Sequence, residues 1–170
     1  NKFILVSNGE FKLGKSMRFL FTDKSVIIYN AIADEGLKFN RYDNKLVIIS
    51  LSRFDFAKNM DMAYRIAKAL RNNHEIEFVW VGDGEDFVRL KQKSVEEHVN
   101  INFIGFTEYP MSYLKNADLY LSTSRFEGLP YALIEAASVG LPIVPTDVVG
   151  NMKLYFTIIM GLCLKQNKKL

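Results

Sequence analysis

Leu46-Val47-Ile48-Ile49-Ser50-Leu51 is a near-continuous apolar run that leaves no polar face to give to water. That is the pattern of a strand covered on both sides, as in a parallel sheet sandwiched by helices. The polar turn Ser52 to Lys58 follows it. Ala63, Ile66, Ala67 and Leu70 then recur at i, i+3, i+4 and i+7, the spacing of one helix face, and Asn72-Asn73 closes the helix. A fully covered strand followed by an amphipathic helix is a βα unit, and the fold depends on whether it repeats.

Downstream it does. Glu77 to Val81 (EFVWV) reads as a strand closed by Gly82-Asp83-Gly84, and Phe87, Leu90 and Val95 give the next helix its apolar side. Strands at Ile101 to Ile104, Leu119 to Ser122 and Ile143 to Val144 alternate with helices around Met111 to Asn116 and from Pro130 to Val139, and a last strand falls at Leu162 to Leu164. Strict alternation predicts an α/β fold, a Rossmann-like doubly wound parallel sheet. Upstream the rhythm weakens: Phe3 to Ser7 and Ser25 to Tyr29 read as strands around an ambiguous segment. Residues 1–44 are therefore taken as a connector or the remnant of a preceding domain, 45–165 as the ligand-binding domain and 166–170 as a tail.

Length and composition agree with one domain: 170 residues, 49% of them hydrophobic, bury a full core. The formal net charge is only +3, and Lys165, Lys168 and Lys169 in the tail supply most of the surplus, which argues against a surface that coats nucleic acid. The single cysteine, Cys163, excludes an internal disulfide framework and a Cys-rich zinc site, so a cytoplasmic, reducing setting is expected. Asn1 to Ser7 lacks the features of a signal peptide, and a chain that starts at Asn1 reads as an excised piece. Leu154 to Leu164 is about half the roughly 20 apolar residues a membrane helix requires, and is read as core.

Gly9 to Ser16, GEFKLGKS, satisfies the spacing of a phosphate loop and follows a strand-like run. The competing reading is a helix start, because Ser7 and Glu10 have the Ser-x-x-Glu spacing of a capping box and Phe11, Met17 and Leu20 fall on one side. The helix reading is preferred, and a P-loop NTPase stays as a minor alternative with Asp83 imitating a second-motif aspartate.

In open α/β sheets the ligand lies beyond the carboxyl ends of the strands. Arg53 and Lys58 follow the first firm strand, Gly82 to Gly84 the second, Gly105 to Thr107 the third, Ser124 to Pro130 the fourth and Thr146 to Asn151 the fifth. Pro130 suits the first position of a helix, which leaves Glu127 in the loop and Glu135 on the helix. The Gly128 and Leu129 amides at that helix start are suited to face an anion, opposite the two positive charges of Arg53 and Lys58, which fit a diphosphate. Ionised carboxylates only accept hydrogen bonds, so Glu127 and Glu135 suit hydroxyls flanking the phosphates. Asp83-Gly84-Glu85 approaches the Asp-x-Asp pattern of metal-dependent transferases, but the two cations supply the neutralisation and no metal or other cofactor is expected. His74 and His98 lie in polar stretches and read as solvated.

From about Ser25 to Leu164 these residues resemble the C-terminal domain of the group 1 glycosyltransferases, the retaining family 4 with the GT-B fold. The likeness rests on Ile28-Tyr29-Asn30-Ala31-Ile32, Ser52-Arg53-Phe54 with Lys58, Val81-Gly82-Asp83-Gly84, Phe103-Ile104-Gly105 and Ala117-Asp118. Its strongest part is Ser124-Arg125-Phe126-Glu127-Gly128-Leu129-Pro130, Glu135-Ala136 and Gly140-Leu141-Pro142-Ile143-Val144, in this order and spacing. The resemblance implies one half of a GT-B fold that binds a nucleotide sugar as donor substrate. It implies Arg53 and Lys58 on the donor diphosphate, Glu127 on the sugar and Glu135 on the ribose, with further donor contacts from Gly82, Gly105, Phe106, Gly128 and Leu129. It also implies a parent enzyme in surface polysaccharide biosynthesis, peripherally associated with a membrane, whose N-terminal acceptor domain is missing here, so that the piece alone is inactive. Asn151 and Lys153 depart from the family pattern, which holds a second glycine and a glutamate there. A nucleotide-sugar epimerase of related fold and a non-catalytic nucleotide-binding module remain as alternatives.

Overall fold

The computed structural model describes residues 3–18, 24–32 and 45–148. The strand expected at Leu162 to Leu164, the loop residues Val149 to Asn151, the departures at Asn151 and Lys153, and the boundary after 165 lie outside the described residues. In chain order the elements are β1 (Phe3–Leu5), α1 (Asn8–Ser16), β2 (Ser25–Ile27), β3 (Leu46–Leu51), α2 (Met60–Ala69), β4 (Ile76–Val81), α3 (Phe87–Glu96), β5 (Ile101–Gly105), α4 (Pro110–Leu114), β6 (Leu119–Ser122), α5 (Tyr131–Ser138) and β7 (Ile143–Pro145).

β3 is the hub. It pairs in parallel with β4 from Leu46 opposite Ile76 to Leu51 opposite Val81, and on its other edge with β6, Ile48 opposite Leu119. The five-stranded order is β5-β4-β3-β6-β7, all parallel. Side chains alternate across it with period two. Val47, Ile49, Val79 and Val81 join Leu114, Leu133, Ala136 and Leu141 on one face. Ile48, Phe78 and Trp80 join Met60, Ala63, Tyr64, Ala67 and Leu90 on the other. Helices thus cover both faces, α4 and α5 one side, α2 and α3 the other, and the doubly wound Rossmann-like sheet is present.

Three local expectations are corrected. The buried face of α2 is Met60, Ala63, Tyr64 and Ala67, while Ile66 is half-buried and Leu70, at the C-cap, is exposed. Tyr64 makes the difference: its ring is buried while its hydroxyl donates to Lys93 O or Glu97 Oε2, at 3.1 and 2.6 Å, so a residue with a polar tip supplies core area. On α3 Val95 points outward, 71% exposed, and Ser94 takes the buried place with its hydroxyl bonded to Lys91 O. Pro130 stands one position earlier than expected, as the extended N-cap of α5 rather than its first residue.

β1 and β2 form a separate parallel pair joined through α1. Gly9 to Ser16, the candidate phosphate loop, lies wholly inside α1. Ser7 caps that helix by accepting from Glu10 N at 3.1 Å, and Glu10 Oε2 accepts from Val6 N at 2.9 Å. A phosphate loop holds its ligand with open backbone N–H groups, whereas this backbone is coiled into helix. The P-loop reading is excluded.

Candidate functional site

The sheet order reverses beside β3: β4 and β5 are laid down on one side of it, β6 and β7 on the other. Such a switch point opens a crevice at the carboxyl ends of the two strands that flank it. A cleft lies there, bordered by Ser52 after β3, Ser124 and Glu127 after β6, Lys58 and Tyr120, and Pro130 at the start of α5.

Its walls are built from backbone. The loops after β3, β4 and β5 are stacked: Ser52 N donates to Val81 O, Phe54 N to Asp83 O, Asp86 N to Phe54 O and Gly82 N to Gly105 O, at 2.8–3.0 Å. Gly82 has φ +124°, and a Cβ there would run into the Ser52 carbonyl. Beneath the loops, Phe54, Trp80, Phe87 and Phe103 pack in tilted and edge-on contacts at centroid spacings of 5.1–6.3 Å. The glycines after β4 are thus required by loop packing, and Phe54 is core.

Across the switch point the β3–α2 and β6–α5 loops are tied together. Asn59 Nδ2 donates to Thr123 O, Thr123 Oγ1 bonds Asn59 O and Lys58 O, and Arg125 N donates to Ala57 O. Thr146 Oγ1 donates to Ser124 O at 2.6 Å and anchors the same loop from β7. These bonds bring Lys58 Nζ to 2.6 Å from Glu127 Oε1, residues 69 apart in sequence. The same oxygen accepts from Ser124 Oγ at 2.6 Å. Both side chains are largely withdrawn from water, 21% and 9% exposed.

The other expected residues differ in their exposure. Arg53 is at the surface, its side chain 77% exposed and paired with Asp55 at 3.0 Å. Phe106 is also at the surface, 77% exposed. Glu135 is half-buried on α5. Burial first, then the charge of Glu127 and to a smaller degree that of Glu135, push the Tyr120 phenol far above its ordinary pKa, so both carboxylates act on one buried hydroxyl. That hydroxyl donates to Leu51 O at 2.8 Å. Leu129 is buried, and its carbonyl accepts from Asn30 Nδ2 at 2.6 Å. Gly128 lies under the N-terminal unit, where a Cβ would meet Glu10 Oε1.

Sequence reasoning gave no role to Ser124, Thr123, Asn59 or Tyr120. A tyrosine within a strand reads as core, and hydroxyls that hold a loop carry no periodic signal. Chemically the cleft offers an ammonium, a carboxylate fixed by two donors and the N-terminal end of α5, which favours an anion. Among the described residues no three His, Cys, Asp or Glu side chains gather in a way that would hold a metal ion. Among them, too, no helix is long and apolar enough to cross a membrane.

With this geometry in hand, the likeness to known proteins is informative. The O-antigen biosynthesis glycosyltransferase WclY of Escherichia coli is 27% identical over 149 residues, covering 81% of this chain and 41% of that protein. The capsular polysaccharide biosynthesis glycosyltransferase CapH of Staphylococcus aureus is 29% identical over 163 residues, 90% of this chain and 44% of that one. The chain therefore spans less than half the length of either relative. A crystal structure of a S. aureus TarM mutant in complex with Fondaparinux, alpha-GlcNAc-glycerol and UDP superposes with TM-score 0.86 at 18% identity, over 98% of this chain and 34% of that one, a likeness of fold. Residues 34–169 match the family described as glycosyl transferases group 1, four-fifths of the sequence, and the chain belongs to that family.

Proposed function

We propose that this chain is the donor-binding half of a retaining glycosyltransferase, which moves a sugar from a nucleoside diphosphate to an acceptor hydroxyl in surface glycan biosynthesis. The observation that carries the reading is the withdrawn Lys58–Glu127 pair at the switch point of the sheet. Family membership, the polysaccharide-related names of the relatives and the UDP in the TarM complex support it.

Lys58 faces the donor diphosphate. An ammonium has three N–H donors, so it can keep Glu127 with one and bind phosphate oxygen with another. Arg53, on a long exposed stem, swings from Asp55 to the same phosphates. Glu127 accepts from sugar hydroxyls and Glu135 from the ribose, while Gly82, Gly105, Phe106, Gly128 and Leu129 complete the donor contacts. In the transfer the anomeric C–O bond to the diphosphate breaks, the acceptor oxygen bonds to the anomeric carbon on the same face, and its proton passes to the departing phosphate oxygen. Negative charge grows on that leaving group, so Lys58 and Arg53 stabilise the transition state more than the ground state. No metal takes part in this reading. The acceptor site belongs to an N-terminal domain of a longer parent, cytoplasmic and peripherally attached to the membrane where its acceptor resides.

The test is nucleotide binding by calorimetry. Lys58→Ala or Arg53→Ala should weaken UDP or GDP binding by about 1.5–3 kcal/mol, the scale of hydrogen bonds to charged groups. Lys15→Ala, on α1, should leave it unchanged. Dependence on Lys15 with indifference to Lys58 would overturn the reading. Products of the full-length parent then separate transfer from epimerisation and from binding alone.

A further inference from the structure

We infer that Asn30, in the connector after β2, is a positioning residue for the loop 127–130, and through it sets the sugar-facing carboxylate of Glu127. For Glu127's role the inference rests on the donor-site reading above; the contact itself does not.

The loop is held from two sides. On its inner side Glu127 Oε1 takes bonds from Ser124 Oγ and Lys58 Nζ. On its outer side Asn30 Nδ2 donates to Leu129 O at 2.6 Å, a contact between residues 99 apart. Beside it Glu10 Oε1 and Val6 Cγ2 stand over Gly128 so closely that a single added Cβ would strike both. Those two residues are fixed in turn: Glu10 Oε2 accepts from Val6 N, Glu10 N is capped by the buried Ser7, and Val6 packs on the core cluster that contains Leu129 and Leu133.

The outer contacts therefore come from a different unit, β1-α1-β2, than the one that carries the loop. Leu129 O belongs to the peptide that leads into Pro130, whose ring locks φ at −72° as the cap of α5. This end of the loop is rigid. Leu129 is two residues from Glu127, so a shift of its carbonyl that the Pro130 side does not take up passes along the backbone towards Glu127. A small movement of the connector is thereby converted into a movement of Glu127 against Lys58. The connector both joins the two units and reports their relative position to the sugar end of the cleft.

Asn30→Asp keeps the shape and sets a carboxylate oxygen against the Leu129 carbonyl; Asn30→Ala removes the contact. In both, amide hydrogen exchange at Arg125 and Ile134, whose N–H groups are bonded to Ala57 O and Pro130 O on either side of the loop, should rise about tenfold, while amides of β3 and β4 keep their protection. Affinity for UDP-glucose should fall at least fivefold further than affinity for UDP, a difference that a general loss of stability does not produce. Glu10→Ala opens the same side of the loop from α1 and should give the same signature, which covers the case of an Asn30 variant that does not fold. Unchanged exchange at Arg125 and Ile134 overturns the inference. So does an equal loss of UDP and UDP-glucose. If the unaltered chain binds neither ligand, the donor-site reading falls, and the exchange measurement still decides whether Asn30 holds the loop.

Discussion

Glu127 Oε1 accepts two bonds of 2.6 Å, one from an ammonium and one from a hydroxyl, and these hold the carboxylate in place. Charge-assisted bonds of that length are short and strong. Replacing the carboxylate by an amide keeps the shape and removes the anion that competes for Lys58. Glu127→Gln should therefore leave UDP affinity unchanged or somewhat higher, and lower both affinity for the nucleotide sugar and turnover by the full-length parent. Glu135→Gln, half-buried on α5 and not on the border of the cleft, should weaken nucleoside diphosphate and sugar conjugate alike. Calorimetry with UDP and UDP-glucose on both variants distinguishes them. A loss of UDP binding in Glu127→Gln as large as in Glu135→Gln would remove the division of roles.

Between elements, α2 and α3 are stapled at both ends. Arg89 on α3 bonds Asp61 on α2 through both terminal guanidinium nitrogens, at 3.0 and 2.8 Å, and also Asp86 at 2.6 Å. At the other end Glu97 accepts from Tyr64 Oη and pairs with Lys68 at 3.0 Å. The Arg89 hydrogen bonds, opposed in part by burial, hold the Asp61 carboxyl below its ordinary 3.8. Its folded pKa is depressed, so the stabilisation is complete above 3.8 and disappears as pH falls through the lower folded value. With 44% of the Asp61 side chain in solvent, screening limits the effect to about 0.5 kcal/mol. Urea midpoints should show Asp61→Asn less stable than the parent sequence by that amount at pH 7 and equal to it once the pH has fallen below the depressed folded value. A difference that persists in acid would assign the effect to packing.

At the scale of the molecule, the cleft depends on how the strand-end loops lie on one another. Gly82 is the point where the loops after β3, β4 and β5 meet: its N–H reaches Gly105 O, and the Ser52 carbonyl occupies the space of a side chain. At φ +124° an L-residue is strained whatever room it has. Gly82→Ala should cost about 2 kcal/mol or more and lower the melting temperature accordingly. It should also weaken nucleotide binding, because displacing Ser52 displaces the loop that carries Lys58. A variant as stable as the parent sequence would mean that the loops are free to part, and that the stacking does not shape the site.

The period of the side chains determined the strands and the doubly wound class, because covered strands and amphipathic helices each leave a local signature. β3 and β6 match their expected bounds residue for residue. The capping spacing of Ser7 and Glu10 likewise identified α1 against a phosphate loop. The rule that ligands lie beyond the carboxyl ends of parallel strands pointed to the loops that border the cleft, and Lys58 and Glu127 were among the residues named there. What only the tertiary structure decided is everything that depends on distance between remote residues. The reversal of strand order beside β3, the pairing of Lys58 with Glu127 and the contact of Asn30 with Leu129 join positions 69 to 99 apart, for which sequence spacing holds no information. The buried face of α2 shifted for a related reason: the tyrosine that sets it needs Lys93 and Glu97, two partners on and beside another helix, before its hydroxyl can be buried. Local periodicity reports what a segment would bury; which residues share a site is fixed only when the sheet has ordered its strands.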